Sequence, residues 1–285
     1  MPISRRDFLK TGAALSAGAA LGMPDGLLAA ARRAQPAVDA VRLGVASYSF
    51  RNFPRDKAIA MTKALGTPYI NVKSYHLPYE LSPAQLAAGR KEFEAAGLRI
   101  VGGGTITFEK DSDEEVKKYF EYARRAGMPL IVATCPPEAL PRIDRFAGRY
   151  MIKVAIHNHG PEDPTFPSPY DVLNAVKALS PRMGLCLDVG HAYRAGADVV
   201  HAIADAGPRV LDMHMKDLRD LRVKESQCIV GEGAVPVPAI FQQLQAIGYR
   251  GYVNLEYEID PDDPLPGMIR SFGYMRGVLA RMAAR

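Results

Sequence analysis

Residues 183–217 read MGLCLDVGHAYRAGADVVHAIADAGPRVLDMHMKD, and this stretch decides the architecture. A short apolar run, Met183–Asp188, ends on an acid. A helix-spaced segment, Asp198–Ala206, follows and is closed by Gly207. A second apolar run, Val210–His214, ends on histidine. The order is strand, helix, strand. Two strands joined by a helix run parallel, and a parallel sheet is covered on both faces.

The same unit recurs outward from this stretch. Strands are expected at Arg42–Ala46, Tyr69–Lys73, Arg99–Gly103, Leu130–Thr134, Ile152–His157, Met183–Asp188, Val210–His214 and Tyr252–Glu256. The clearest further helices are Asp56–Leu65, Pro83–Ala96, Asp113–Ala126, Tyr170–Leu179 and Pro238–Ile247. Pro83 suits the first turn of a helix, and Gly97, Gly127 and Gly248 suit helix ends. Eight alternating units, with no Gly-x-Gly-x-x-Gly after the first strand, predict a single closed (β/α)8 barrel, the TIM barrel, over 41–285 rather than a Rossmann sheet. Gly102-Gly103-Gly104 reads as a permissive loop after the third strand.

Composition narrows the class. With 48% hydrophobic and 24% charged residues the chain is globular rather than disordered or fibrous. A net charge of +5, spread along the chain, gives no basic face for nucleic acid. Three cysteines, Cys135, Cys186 and Cys228, lack CxxC spacing, which argues against a thiolate zinc site. Cys135 and Cys228 fall in mouth loops and are expected as free thiols rather than as a disulfide.

Residues 1–35 stand apart from this pattern. Arg5-Arg6-Asp-Phe-Leu-Lys10 precedes an Ala- and Gly-rich run, Thr11–Met23, and then Ala29–Ala31. This resembles a twin-arginine export signal with a cleavage site near Ala31 and a short linker. The run of 13 residues is shorter than the roughly 20 that span a bilayer, so no membrane span is expected. The resemblance implies the twin-arginine export machinery as a partner and a periplasmic or otherwise exported protein.

Polar residues gather at the ends of the last four strands. The endings are His157-Asn-His159-Gly-Pro-Glu162, Asp188-Val-Gly-His191, His214-Met-Lys216-Asp217 and Glu256-Tyr-Glu258. Strand alternation puts His157 with His159, His214 with Lys216, and Glu256 with Glu258 on common faces. A barrel brings strand C-termini to one mouth, where catalysis sits. A lone strand-end His or Asp is usually a loop cap; four successive ones predict a shared metal site. Its nitrogen and oxygen donors suit one divalent ion among Mn, Zn, Co, Fe and Mg. His76 also falls near a strand end, whereas His201 lies within a helix. The charge run Lys216–Lys224 is expected to be mostly solvated loop.

These motifs, with Gly231-Glu232-Gly233 and Gly248-Tyr249-Arg250-Gly251, resemble the sugar phosphate isomerase/epimerase family with the xylose isomerase-like TIM barrel. The resemblance implies a metal held by His157, Asp188, His214 and Glu256, and a substrate contact at His191. It also implies proton transfer beside a sugar carbonyl, with a small carbohydrate as substrate. One position departs: related isomerases carry Glu where this chain has His157. In the epimerases that Glu is one of two bases, so its loss speaks against two-base epimerisation.

Glu256 or Glu258 is then the base, and His159, His191 or Lys216 the acid. His159, Glu162, Lys73 and His76 are the candidate substrate contacts. The reaction class is isomerase, epimerase or lyase on a sugar or keto-sugar. Two alternatives stand beside it: a phosphoester hydrolase of the apurinic-endonuclease type, or a non-catalytic sugar-binding barrel. The former needs a His after strand three and a second Asp-x-His after His214, and neither is present. A homo-oligomer is left open.

Overall fold

The computed structural model describes residues 41–284. The expected export signal and its cleavage site lie outside the described residues. Eight parallel strands close a barrel in sequence order: β1 Arg42–Ala46, β2 Tyr69–Val72, β3 Arg99–Thr107, β4 Leu130–Thr134, β5 Lys153–His157, β6 Met183–Asp188, β7 Val210–Met215 and β8 Tyr252–Leu255, which pairs back to β1. The expected strands agree to within about two residues except at β3. There Gly102–Gly104 is not a loop but lies inside the strand, with a register shift against β4. At Gly104 φ is +118° and a Cβ would collide with the Val132 carbonyl, so only glycine holds this bend. The loop reading failed because a glycine triplet breaks strand propensity; here close strand packing demands it.

The helices are α1 Arg55–Ala64, α2 Pro83–Ala95, α3 Asp113–Ala126, α4 Leu140–Tyr150, α5 Pro169–Val176, α6 Val189–Arg194, α7 Val199–Ala206, α8 Val237–Ala246 and α9 Leu265–Ala283. α3 shows why they form. Ser112 accepts a hydrogen bond from the Glu115 amide, three acids occupy the first turn, and Arg124 and Arg125 occupy the last. Each end complements the helix dipole, and Gly127 closes it at φ +73°. Val116, Phe120 and Ala123 share the buried face.

Strand alternation divides the interior. Outward residues such as Val45, Ile70, Val154, Leu187, Met213 and Val253 join the helices in one large core. Within the barrel, Leu130, Val132, Ala155 and Cys186 form a small apolar cluster. Opposite strands contribute a polar layer instead. Asn71 and Asn254 each donate to one oxygen of buried Asp212, at 3.1 and 2.8 Å. Burial pushes the Asp212 carboxyl up to about 7. Among the described residues no helix is long and apolar enough to cross a membrane.

Candidate metal and active site

The next inward layer, toward the strand C-termini, carries the chemistry. His157 ends β5, Asp188 ends β6, His214 lies one residue from the end of β7, and Glu256 follows β8. Their four ligand atoms lie within 4.8 Å of one another, and all four residues are buried. His157 Nε2 is 3.2 Å from His214 Nδ1 and 3.5 Å from Asp188 Oδ2. His214 Nδ1 is 3.1 Å from Glu256 Oε2 and 3.9 Å from Asp188 Oδ2. Ligands bonded at about 2.1 Å to one ion stand about 3.0–3.4 Å apart in octahedral or tetrahedral geometry. Asp188 Oδ2 is fully buried with no well-formed hydrogen bond. Spacing, donor type and this orphaned oxygen all fit a divalent cation.

Local structure aims these groups. Asp188 is the N-cap of α6: its Oδ1 accepts from the His191 amide at 2.8 Å, which turns Oδ2 into the barrel. The Asn158 side chain clamps the Asp188 backbone from both sides, donating to its carbonyl at 3.1 Å and accepting from its amide at 2.9 Å. Asp217 was expected in a solvated charge run but is buried. It accepts from the amides of Gly231, Gly233 and Val235, so it pins the loop after β7. Lys216 is likewise buried rather than solvated. Burial is tolerated here because Asp217 is satisfied by backbone amides and Lys216 is surrounded by carboxylates.

Burial holds the His157 imidazole down to about 3, against the pull of Asp188, so this ring is a neutral donor at neutral pH. Burial alone would raise Asp188 and Glu256. Lys216, His191 and His157 hold Asp188 well below the usual range, and His214, Lys73 and Lys216 do so for Glu256. Both carboxylates are therefore charged. Lys216 Nζ lies 3.1 Å from Asp188 Oδ2, from Glu256 Oε2 and from Glu258 Oε2. These are ion pairs by proximity, since none has hydrogen-bond angles. Burial would depress the ammonium, but the three acids raise it well above its normal value.

A cavity of about 330 Å³ opens over this cluster, lined by Tyr48, Lys73, Ser74, Tyr75, Thr105, His157, His159, His191, Glu256 and Glu258. A larger one, about 560 Å³, lies at the opposite end of the barrel around Arg42, Lys153, Arg182 and Arg250, and no set of metal-ligand residues converges there among the described residues. Volume does not locate the chemistry here; converging ligands do.

The sequence-derived candidates divide accordingly. Lys73 is at once an ion-pair partner of Glu256, at 3.2 Å, and part of the cavity lining. Glu162 faces Arg194 in a rim depression shared with His159 and His191, beside the main cavity. His76 does not reach the mouth. Its Nδ1 meets Ser47 Oγ at 3.0 Å and its Nε2 meets the Phe50 carbonyl at 3.3 Å, so it is a buried strut of the β1 loop. Cys135, Cys186 and Cys228 are all free thiols. His201 sits exposed on α7 beside its N-cap, Asp198.

Sequence reasoning missed several groups, among them Asn158, which clamps the Asp188 backbone. Tyr48, Tyr75 and Thr105 line the cavity without any periodic signal. Arg194, one turn beyond His191, meets His191 Nδ1 at 3.1 Å through a guanidinium nitrogen. A guanidinium can only donate, so Nδ1 accepts and the His191 proton sits on Nε2.

Such a barrel, with a histidine and carboxylate cluster at its C-terminal mouth, belongs to the class of parallel barrels that carry their working groups at the strand C-termini. The chain belongs to the xylose isomerase-like TIM barrel family, which it matches over residues 56–277. Residues 2–22 match the twin-arginine translocation signal sequence, so the chain carries a signal for export by that pathway. It is 32% identical over 118 residues to a rhizopine catabolism protein of Rhizobium meliloti, 36% of each chain. It is 27% identical over 143 residues to an inosose dehydratase of Bacillus licheniformis, 44% of this chain and 46% of that one. The chain thus spans less than half the length of these curated relatives. A crystal structure of the IOLI protein with a bound zinc atom superposes with a TM-score of 0.71 at 18% identity, covering 84% of this chain and 98% of that one.

Proposed function

We propose that the protein is a divalent-metal-dependent lyase that removes a proton beside the carbonyl of a keto-sugar and expels an oxygen group from the next carbon. The observation that carries this reading is the one-sided placement of free acid–base groups around the cavity. Glu256 is saturated: Oε1 faces Lys73, and Oε2 faces His214 and Lys216. Glu258 is one-third exposed and faces the cavity, with Lys216 as its only ion-pair partner among the described residues. Where an epimerase needs its second carboxylate, this chain has the neutral imidazole of His157.

His157, Asp188, His214 and Glu256 would hold the ion, which supplies a Lewis acid for the carbonyl and for the enolate charge. Glu258 takes the proton from the carbon beside the carbonyl. The C–H electron pair forms the new C=C bond as the C–O bond to the next carbon breaks. His159, half-exposed and 3.7 Å from Asp163, gives its proton to the departing oxygen. The products are an unsaturated ketone and water or an alcohol. His191, its proton fixed on Nε2, donates to a substrate oxygen. Lys73 and Lys216 keep the acids charged. Export removes the chain from the cytoplasmic sugar phosphates, which favours an unphosphorylated keto-sugar or keto-glycoside. The dehydratase named among the relatives agrees with elimination.

The test combines solvent-deuterium exchange with ultraviolet detection of the conjugated ketone. Wild type with a divalent ion should show both. Glu258→Gln should slow both by at least about 100-fold, the lower end for a lost general base. Reversible inversion at one carbon without elimination would overturn the lyase reading in favour of an epimerase.

A further inference from the structure

Lys216 holds an unusual place. Its ammonium touches the two carboxylate oxygens, Asp188 Oδ2 and Glu256 Oε2, that belong to the four-ligand cluster. An ammonium and a divalent ion cannot both draw fully on the same lone pairs at such range. Lys216 also has somewhere to go: Glu258 Oε2 is at 3.1 Å on the cavity side. Its contacts are close but poorly angled, so no hydrogen bond locks Nζ in place. Its stem runs past Gly190, where even a Cβ would stand only 3.3 Å from the lysine Cβ and Cδ. Glycine there leaves beside the stem the space that a side chain would take.

We propose that Lys216 is a displaceable counter-cation of the metal cluster. Its ammonium holds Asp188 and Glu256 together until a divalent ion takes their oxygens, and it then withdraws to Glu258. Three acids, Asp188, Glu256 and Glu258, here face two ammonium groups, Lys73 and Lys216. Without the ion the two ammonium groups offset most of the negative charge of the three acids, which limits the cost of burying Asp188 and Glu256. The cost is a weaker hold on the ion, because binding must move a cation and leave it nearby. Glu258 gains a second role as the receiving group. This inference rests on the metal reading of the four residues and not on the reaction, since its readout is affinity.

The test is Mn²⁺ and Zn²⁺ titration of the purified mature chain at fixed pH. Lys216→Met should bind at least about 10-fold tighter than wild type. Glu258→Gln should bind more weakly, because the ammonium has lost its refuge. In Lys216→Met/Glu258→Gln the effect of the second change should disappear, the non-additivity that marks two residues acting through one another. Equal or weaker binding by a folded Lys216→Met overturns the inference. So does an undiminished Glu258→Gln effect in the double variant, which would mark Glu258 as a simple long-range charge. If Lys216→Met does not fold, the ion-loaded wild-type crystal structure decides. Nζ should lie beyond 4 Å from Asp188 Oδ2 while staying near Glu258, and an unmoved Nζ overturns the inference. No binding by the wild type or by Lys216→Met would overturn the metal site itself.

Discussion

The mouth of the barrel has two unlike halves. The β5–β8 half is ionic and, apart from one-third-exposed Glu258, buried: two imidazoles, three carboxylates and Lys216 stand within a few ångströms of one another. The β1–β3 half is open and carries no carboxylate in the cavity lining: Tyr48 and Tyr75 pack at 5.9 Å, with Lys73, Ser74 and Thr105 beside them. Tyr75 is 56% exposed although Tyr48 packs against it. The difference separates two tasks. Ion-binding groups must be desolvated and held rigid, whereas a wall that greets a sugar ring does so through aromatic faces and hydroxyls that tolerate water.

Removing a ligand should break the ionic half outright. Asp188→Ala or His214→Ala should weaken divalent-ion binding by more than about 100-fold, beyond what the loss of a supporting outer-shell group costs. Equilibrium dialysis with elemental analysis measures this. Full occupancy in either variant would dissolve the contrast between the halves. A smaller effect should follow from the support layer. Asn158→Ala removes both clamps on the Asp188 backbone and should cost about 10–100-fold in ion affinity, the range for outer-shell partners. An unchanged affinity would show that the N-cap of α6 alone aims the carboxylate.

The open half should respond in a different quantity. Tyr75→Ala should raise KM about 2- to 10-fold, the worth of one aromatic contact of about 0.5–1.5 kcal/mol. Ion affinity and melting temperature should stay put, because Tyr75 touches no ligand. A fall in ion affinity instead would mean that the halves are mechanically coupled.

The ionic half was legible in the sequence and the open half was not, for a physical reason. Ligand types recur at strand ends with a period of two, as in His214-Met-Lys216 and Glu256-Tyr-Glu258, and a parallel barrel has only one end where such residues converge. Tyr48 lies in a 3-10 turn, Ser47–Phe50, and Tyr75 in a loop, where no periodicity applies. Thr105 was hidden by the glycine triplet, which reads as a loop until Val132 is seen packed against Gly104. Lys216 and Asp217 looked like part of a solvated run because local charge density says nothing about which ions find buried partners. Asn158 and Arg194 were invisible because their work is to orient neighbours.

His76 is the sharpest test of where the open half ends, and its expected effect is the smallest. Beside a strand end it reads as a substrate contact; in the fold it is sealed between Ser47 and Phe50. Burial lowers its pKa from the ordinary 6.5. The folded chain therefore keeps the ring neutral, while the unfolded chain takes up a proton as pH falls below 6.5. Stability is unaffected above that pH and is lost below it, down toward the depressed native value. His157 and His191, also depressed by burial, add to the same acid limb. Replacing His76 with Gln keeps a hydrogen-bonding side chain there but removes its share of the limb. The drop in melting temperature between pH 7.5 and pH 5.5 should shrink without vanishing, and KM and ion affinity should hold. If His76→Gln instead raises KM and leaves the acid limb intact, the ring reaches substrate after all, and the boundary of the open half moves inward to the β1 loop.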